Sequence, residues 1–191
     1  NKEIFYLDFG FISEMDGEQA REVRFRSMAD FVDQGKSRLV QVRALGGAYP
    51  FYGEIKTLPA GAEFRDGTEA GALVEASLLI QFGAELGDTV RLGQSDFRIV
   101  GSVLQVPGEN EVRGLFAPRI YIDQRFLPQT GLMQRGSLAS HRVFFKLTSG
   151  IDTEVEAKLQ RAQETLFAEE RIQFDTVESR KRRLGRAMDN F

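Results

Sequence analysis

The sequence contains no cysteine, no tryptophan and a single histidine, His141. Without cysteine, disulfide and thiolate chemistry are excluded, and nothing in the composition marks an oxidising or a reducing compartment. One histidine leaves carboxylates alone to hold a metal, and neither a DxD nor an HxxxH arrangement occurs, so no metal and no cofactor is expected. No run approaches the roughly 18 apolar residues needed to cross a bilayer. The formal net charge of −3 supplies no field that would draw in nucleic acid. The glycine-rich segments carry neither GxGxxG nor a P-loop pattern and follow no parallel strand, which argues against a phosphate cradle. Ser137 and His141 stand four apart, but no GxSxG elbow surrounds the serine. A structural place for His141 at a strand entrance is the better account, and a weak esterase built on Ser137 and His141 is kept as a third option.

What is present is ordinary globular material. The 191 residues are 42% hydrophobic and 28% charged, enough for one sizeable domain or two small subdomains sharing a core. The stretch that organises the chain is 39–53. Residues 39–45 (LVQVRAL) alternate apolar and polar, the period of a half-buried strand. Gly46-Gly47 breaks it, and Tyr49-Pro50-Phe51-Tyr52-Gly53 follow as an aromatic knot whose proline keeps Tyr49 extended. Two readings stand side by side: a junction where the chain leaves one packed unit to build another, and a strand followed by an aromatic-rich loop.

Strand-like alternation over 21–32, with Val23, Phe25 and Met28 on the buried face, predicts an antiparallel hairpin with 38–45 around a turn at Gln34-Gly35-Lys36-Ser37. Residues 58–71 read as loop, and 75–82 as a short helix closed by Gly83. A second hairpin joins 88–93 to 97–103 through Gln94-Ser95-Asp96, and Pro107 to Asn110 ends that unit. Residues 118–123 form a further strand, with a short helix around 125–129. The strand at 141–147, with Val143, Phe145 and Leu147 on one face, opens a β-α-β unit. Its helix starts at the capping box of Thr153 and Glu156, and its second strand is 171–174. A last helix follows from Asp175. The fold class is therefore α+β.

Five basic residues after position 174 (Arg180, Lys181, Arg182, Arg183, Arg186) face Asp175, Glu178 and Asp189, a local balance of +2 that leaves −5 for the remainder. The run fits a solvated helix face, a nucleic-acid patch or a juxtamembrane anchor. A nucleic-acid patch would need further basic residues and aromatic platforms, which are not evident, whereas basic residues gain about 1 kcal/mol each beside anionic headgroups. The membrane-side position is preferred. The chain opens on Asn1 without a signal-peptide pattern and stops at Asn190-Phe191, so it is expected to be cut from something longer.

Several stretches in collinear order carry a resemblance. They are Ala48-Tyr49-Pro50-Phe51-Tyr52-Gly53, residues 82–93 (FGAELGDTVRLG), Phe97-Arg98-Ile99-Val100-Gly101, Phe116-Ala117-Pro118-Arg119, Thr130-Gly131-Leu132, Gly136-Ser137 and residues 182–191 (RRLGRAMDNF). Together they resemble the extracytoplasmic (periplasmic) core domain of MacB/FtsX-type ABC transporter permeases, nearest to the YbbP-like permeases related to LolC/LolE. The resemblance covers roughly 13–191 and leaves residues 1–12 unmatched. It implies a single extracytoplasmic domain over 1–191: a β-α-β-rich porter-like subdomain (1–53 plus 140–178), an inserted, mostly β subdomain (54–139) and a juxtamembrane helix (176–191).

It also implies a function. The domain would be non-enzymatic, with the ATPase on a separate cytoplasmic subunit, and would couple ATP hydrolysis to export or extraction of a hydrophobic, lipid-related or lipoprotein cargo. Implied partners are that ABC ATPase, a second permease copy or homologue, an SGNH-type esterase, and the inner membrane through flanking helices. Candidate site residues are Tyr49, Phe51 and Tyr52 as a cargo or partner surface, for which core packing is the competing role. Gly46 and Gly47 are candidates for a hinge, and Arg180, Lys181, Arg182, Arg183 and Arg186 for a juxtamembrane basic group. The alternative function is a freestanding protein-binding module with a basic C-terminal helix.

Overall fold

The computed structural model describes residues 17–65, 67–107, 118–134, 137–147 and 157. The chain divides into two compact units, Gly17–Lys146 and Asn1–Asp16 with Leu147–Phe191. The sheet belongs to the first of these, its last strand ending at the boundary residue Leu147. The expected β-α-β helix, its second strand and the final helix lie outside the described residues.

The elements run β1 (Gly17–Phe31), β2 (Lys36–Gly47), β3 (Lys56–Leu58), β4 (Gly71–Glu75), α1 (Ala76–Phe82), β5 (Thr89–Leu92), β6 (Ser95–Gln105), β7 (Arg119–Asp123) and β8 (Ala139–Leu147). Two 3₁₀ turns, Gln124–Phe126 and Pro128–Thr130, follow β7. The sheet order is β2-β7-β4-β6-β5-β1, and β1 also pairs β2, so six strands close on themselves into a barrel. The β2–β7 and β4–β6 pairs are parallel and the other ring pairs antiparallel. β3 and β8 are attached outside the ring, on β6 and β1. The α+β class holds, with sheet dominating.

Alternation explains the interior. Val23, Phe25, Ala29 and Phe31 of β1 point inward with Val40, Val42 and Ala44 of β2, Ile120 and Ile122 of β7, Ala72 and Val74 of β4, and Phe97 and Ile99 of β6. Leu78 of α1 packs into the same core. The helix ends where expected, at Gly83 with φ 67°, whose amide donates to Leu79 O.

A second apolar layer covers part of the outside: Leu45, Leu73, Tyr121, Val103, Val106 and Phe64. Its construction depends on a register shift in the β4–β6 pair, where Ala72 faces Ile99 but Leu73 faces Gly101. The extra residue reverses the parity of β6, so Ile99 points into the barrel and Val103 out of it.

Four expectations are corrected. Met28 is 48% exposed rather than on the buried face. It lies five residues from Val23, hence on the opposite side of the strand, where it opposes the exposed Leu39. The second hairpin turns in two residues, Gly93-Gln94, because Leu92 pairs with Ser95. Residues 58–71 are not all loop, since Leu58 ends β3 and Gly71 begins β4. The first hairpin pairs with Phe25 opposite Val42 and turns at 32–35, two residues before the expected 34–37, because Phe31 already pairs with Lys36.

The anticipated junction, Gly46 to Gly53, links β2 to β3 of one sheet. The contact division of the chain falls at 16/17 and 146/147, whereas the expected subdomains divide at 53/54 and 139/140. The β1–β2 hairpin is an integral wall of the barrel that β4 to β7 complete.

Candidate functional site

β2 ends beside an open cleft of about 540 Å³, within the range of small-ligand sites. Gly46 and Gly47 line its floor, Arg21 comes from β1, Arg65 from the segment between β3 and β4, and Asp123, Gln124 and Arg125 from the end of β7. Local structure requires glycine at the second of these floor positions. Gly47 has φ +68°, and a Cβ there would overlap the Gln19 carbonyl oxygen of β1; a Cβ on Gly46 would overlap the Gln124 side chain.

The three guanidiniums are held differently. Arg125 is tied to Asp123: its Nε donates to Asp123 Oδ2 at 2.9 Å, and its backbone amide to Asp123 Oδ1 at 2.8 Å. Arg125 Nη2 also donates to the Arg65 carbonyl. Arg65 donates to carbonyls alone, Gly47 O at 3.2 Å and Tyr49 O at 2.7 Å. Arg21 donates from Nε and Nη2 to the amide oxygen of Gln19, at 3.2 and 3.0 Å. Among the described residues that line the cleft, Asp123 therefore offsets one of three positive charges, leaving a balance of +2.

A second polar group lies on the covered outer face of the barrel. Glu22, Arg43 and Tyr121 stand on the adjacent strands β1, β2 and β7 and are each about 1% exposed. Arg43 donates through Nε and Nη2 to Glu22 Oε1 and through Nη1 to Tyr121 Oη at 3.3 Å. Arg24 Nε reaches the same Glu22 oxygen at 2.8 Å. Burial works against the Arg43 charge, but Tyr121 and Glu22 hold its pKa above the usual guanidinium value. Burial raises the Tyr121 phenol. This group has the burial of a fold-specifying element and no opening to a ligand.

The structure sorts the sequence candidates. Gly46 and Gly47 belong to the cleft floor. Tyr49 and Phe51 are half-buried, Tyr49 packing against Phe144 at 5.6 Å between centroids. Tyr52 is 72% exposed, with Lys146 Nζ 5.7 Å from its ring centre. The three aromatics do not lie in the cleft. Arg180, Lys181, Arg182, Arg183 and Arg186 fall outside the described residues. Ser137 Oγ is engaged locally, accepting from Gln134 N at 2.9 Å and donating to Leu132 O at 3.0 Å, which caps its own loop. Burial lowers the pKa of His141. Among the described residues no group of three His, Cys, Asp or Glu could hold a metal. Sequence reasoning missed Arg21, Arg65, Asp123 and Arg125. The one local signal was Asp123 as the last residue of a strand, the position of a capping carboxylate.

Known proteins share this architecture. A family model for the MacB-like periplasmic core domain matches residues 8–162. The uncharacterized ABC transporter permease YbbP of Escherichia coli K12 is 31% identical over 108 residues, which are 56% of this chain and 13% of that protein. The chain thus corresponds to a small part of that relative's length. A permease-protein domain from Porphyromonas gingivalis superposes with a TM-score of 0.51 at 16% identity, covering 81% of this chain and 74% of that one. The extracellular domain of the noncanonic ABC-type transporter YknZ from Gram-positive bacteria superposes with a TM-score of 0.53 at 10% identity, over 88% and 84%. At those identities the two structures establish a shared fold.

Proposed function

From the premise that this chain belongs to the MacB-like periplasmic core domain family, we propose that it is the extracytoplasmic domain of an ABC transporter permease. The match over 8–162 carries the reading. The relative from Escherichia coli and the fold shared with the YknZ extracellular domain support it. Its role is mechanical rather than catalytic: ATP is hydrolysed on a separate cytoplasmic subunit, and this domain relays the resulting motion outside the membrane. The cargo we favour is hydrophobic, lipid-related or a lipoprotein. A second permease copy or homologue completes the transporter, and an SGNH-type esterase is a candidate outer partner. Within the domain, the chain would pass from a porter-like part (1–53 plus 140–178) into an inserted part (54–139), with Gly46-Gly47 as the hinge candidate at that passage. Tyr49, Phe51 and Tyr52 would form the cargo or partner surface, and Arg180, Lys181, Arg182, Arg183 and Arg186 would sit at the headgroups.

The absence of native cysteine in this chain permits a direct test of sidedness. In the full-length protein, other cysteines removed, Tyr52→Cys should react with a membrane-impermeant maleimide on cells whose cytoplasmic membrane is intact. Reaction only after lysis would reject the extracytoplasmic assignment and favour the freestanding binding module.

A further inference from the structure

We propose that the cleft at the end of β2 is a binding site for a phosphate monoester dianion, free or at the head of a lipid. Charge comes first. Three guanidiniums and one carboxylate line the cleft, and the carboxylate of Asp123 is already engaged by Arg125. The remaining balance of +2 matches a phosphate monoester, which carries about −1.5 to −2 at neutral pH.

Donor geometry comes second. Among the described residues, Arg21 and Arg65 donate to neutral oxygens alone, the Gln19 amide and the carbonyls of Gly47 and Tyr49. These acceptors orient the guanidiniums without neutralising them. Guanidinium is also the group best suited to forked recognition of phosphate. Space comes third. The floor is two glycines: a Cβ at Gly47 would collide with the Gln19 carbonyl oxygen, and one at Gly46 would displace the Gln124 side chain. Gln124, packed on Gly46, adds a side-chain amide to the same wall. These residues come from β1, the β3–β4 connection and the β7 terminus, so the site exists only once the barrel has closed. The inference rests on the cleft's own residues and does not depend on the transporter assignment.

The test titrates the 191-residue chain with inorganic phosphate at fixed ionic strength, followed by calorimetry and by the arginine Nε–Hε resonances. Saturable binding is expected, weakening as pH falls and the phosphate dianion takes up a proton. Arg21→Gln, on an exposed side chain whose acceptor is another side chain, should weaken binding about tenfold, the worth of one hydrogen bond to a charged group. Arg21→Lys, which keeps the charge and loses the fork, should fall between. Acetate, a monoanion, should bind at least tenfold more weakly than phosphate. Glycerol 3-phosphate and a water-soluble short-chain phosphatidic acid identify the source. Equal affinity assigns the site to a free phosphate ester, and tighter binding of the acylated compound assigns it to a lipid headgroup. The absence of saturation, unchanged affinity in folded Arg21→Gln, or acetate binding as tightly as phosphate would each overturn the proposal.

Discussion

Removing both members of the buried Glu22–Arg43 pair should cost no more than removing one. Each residue is about 1% exposed, so neither charge can recover hydration when its partner is lost. Breaking a buried pair from one side typically costs about 3–5 kcal/mol, whereas replacing both members is often close to neutral. The local arrangement sets the order of the single variants. In Glu22→Gln the Arg43 guanidinium keeps Tyr121 Oη but faces a neutral amide in place of the carboxylate, which puts the loss near the upper figure. In Arg43→Met the carboxylate still has Arg24 at 2.8 Å, a cation whose side chain is 24% exposed, so the loss falls near the lower figure. At about 2–4 °C per kcal/mol for a protein of this size, the single variants should melt roughly 6–20 °C below the parent. The double variant should cost no more than Glu22→Gln alone, giving a coupling free energy of about 3 kcal/mol. With no tryptophan in the chain, urea and thermal unfolding are best followed by far-UV circular dichroism. Single-variant losses below about 1 kcal/mol, or simple additivity in the double, would refute the claim that this pair is desolvated and mutually dependent.

Two glycines in the left-handed region should separate backbone strain from collision. Gly83→Ala places a Cβ in open space at φ 67° and should cost about 1 kcal/mol. Gly93→Ala, at φ +59°, also drives a Cβ into the Thr130 carbonyl and should cost at least twice as much in urea unfolding. Ile122→Ala, inside the barrel, should lose about 2–5 kcal/mol, while Met28→Ala on the outer face should stay within about 0.5 kcal/mol. Acid should destabilise the fold in two stages. His141 has a folded pKa below its ordinary 6.5, so its contribution is complete above that value and declines as pH falls through it; His141→Gln should flatten this limb. The hydrogen bond from Arg91 lowers the Asp96 pKa below 3.8, so its contribution is present above that value and is lost as pH falls further; Asp96→Asn should remove it. Replacing Arg180, Lys181, Arg182 and Arg183 with glutamine should weaken attachment of the fragment to anionic vesicles, and unchanged attachment would count against a headgroup role.

Local chemistry made part of this architecture legible. Alternation in 38–45 and 97–103, the glycine after Phe82 and the short apolar run at 118–123 are all signals that a few neighbouring residues generate and that tertiary packing left intact. β4 was hidden because its residues Gly71 to Val74 are buried on both faces, so GALVE shows no period of two and merges into the helix after it. Met28 misled because it is apolar on the wrong parity. Ring closure could not be read at all, since it depends on Ala29 to Phe31 meeting Val90 to Leu92 across some sixty residues. The cleft divides the same way. Gly46-Gly47 announced itself through conformational freedom, but Arg21, Arg65 and Arg125 are three of 25 basic residues with nothing local to single them out.

The ends of the barrel unit lie on neighbouring strands. β1 opens at Gly17 and β8 runs beside it, with Lys146 Nζ 3.0 Å from Glu18 Oε2. A unit whose entrance and exit nearly touch can be spliced into a surface turn of another protein without prying that turn apart. It can equally be cut free and its ends joined by a short bridge, with new termini opened at the Val32–Gly35 turn. For a host polypeptide, such a module is easy to acquire and easy to exchange.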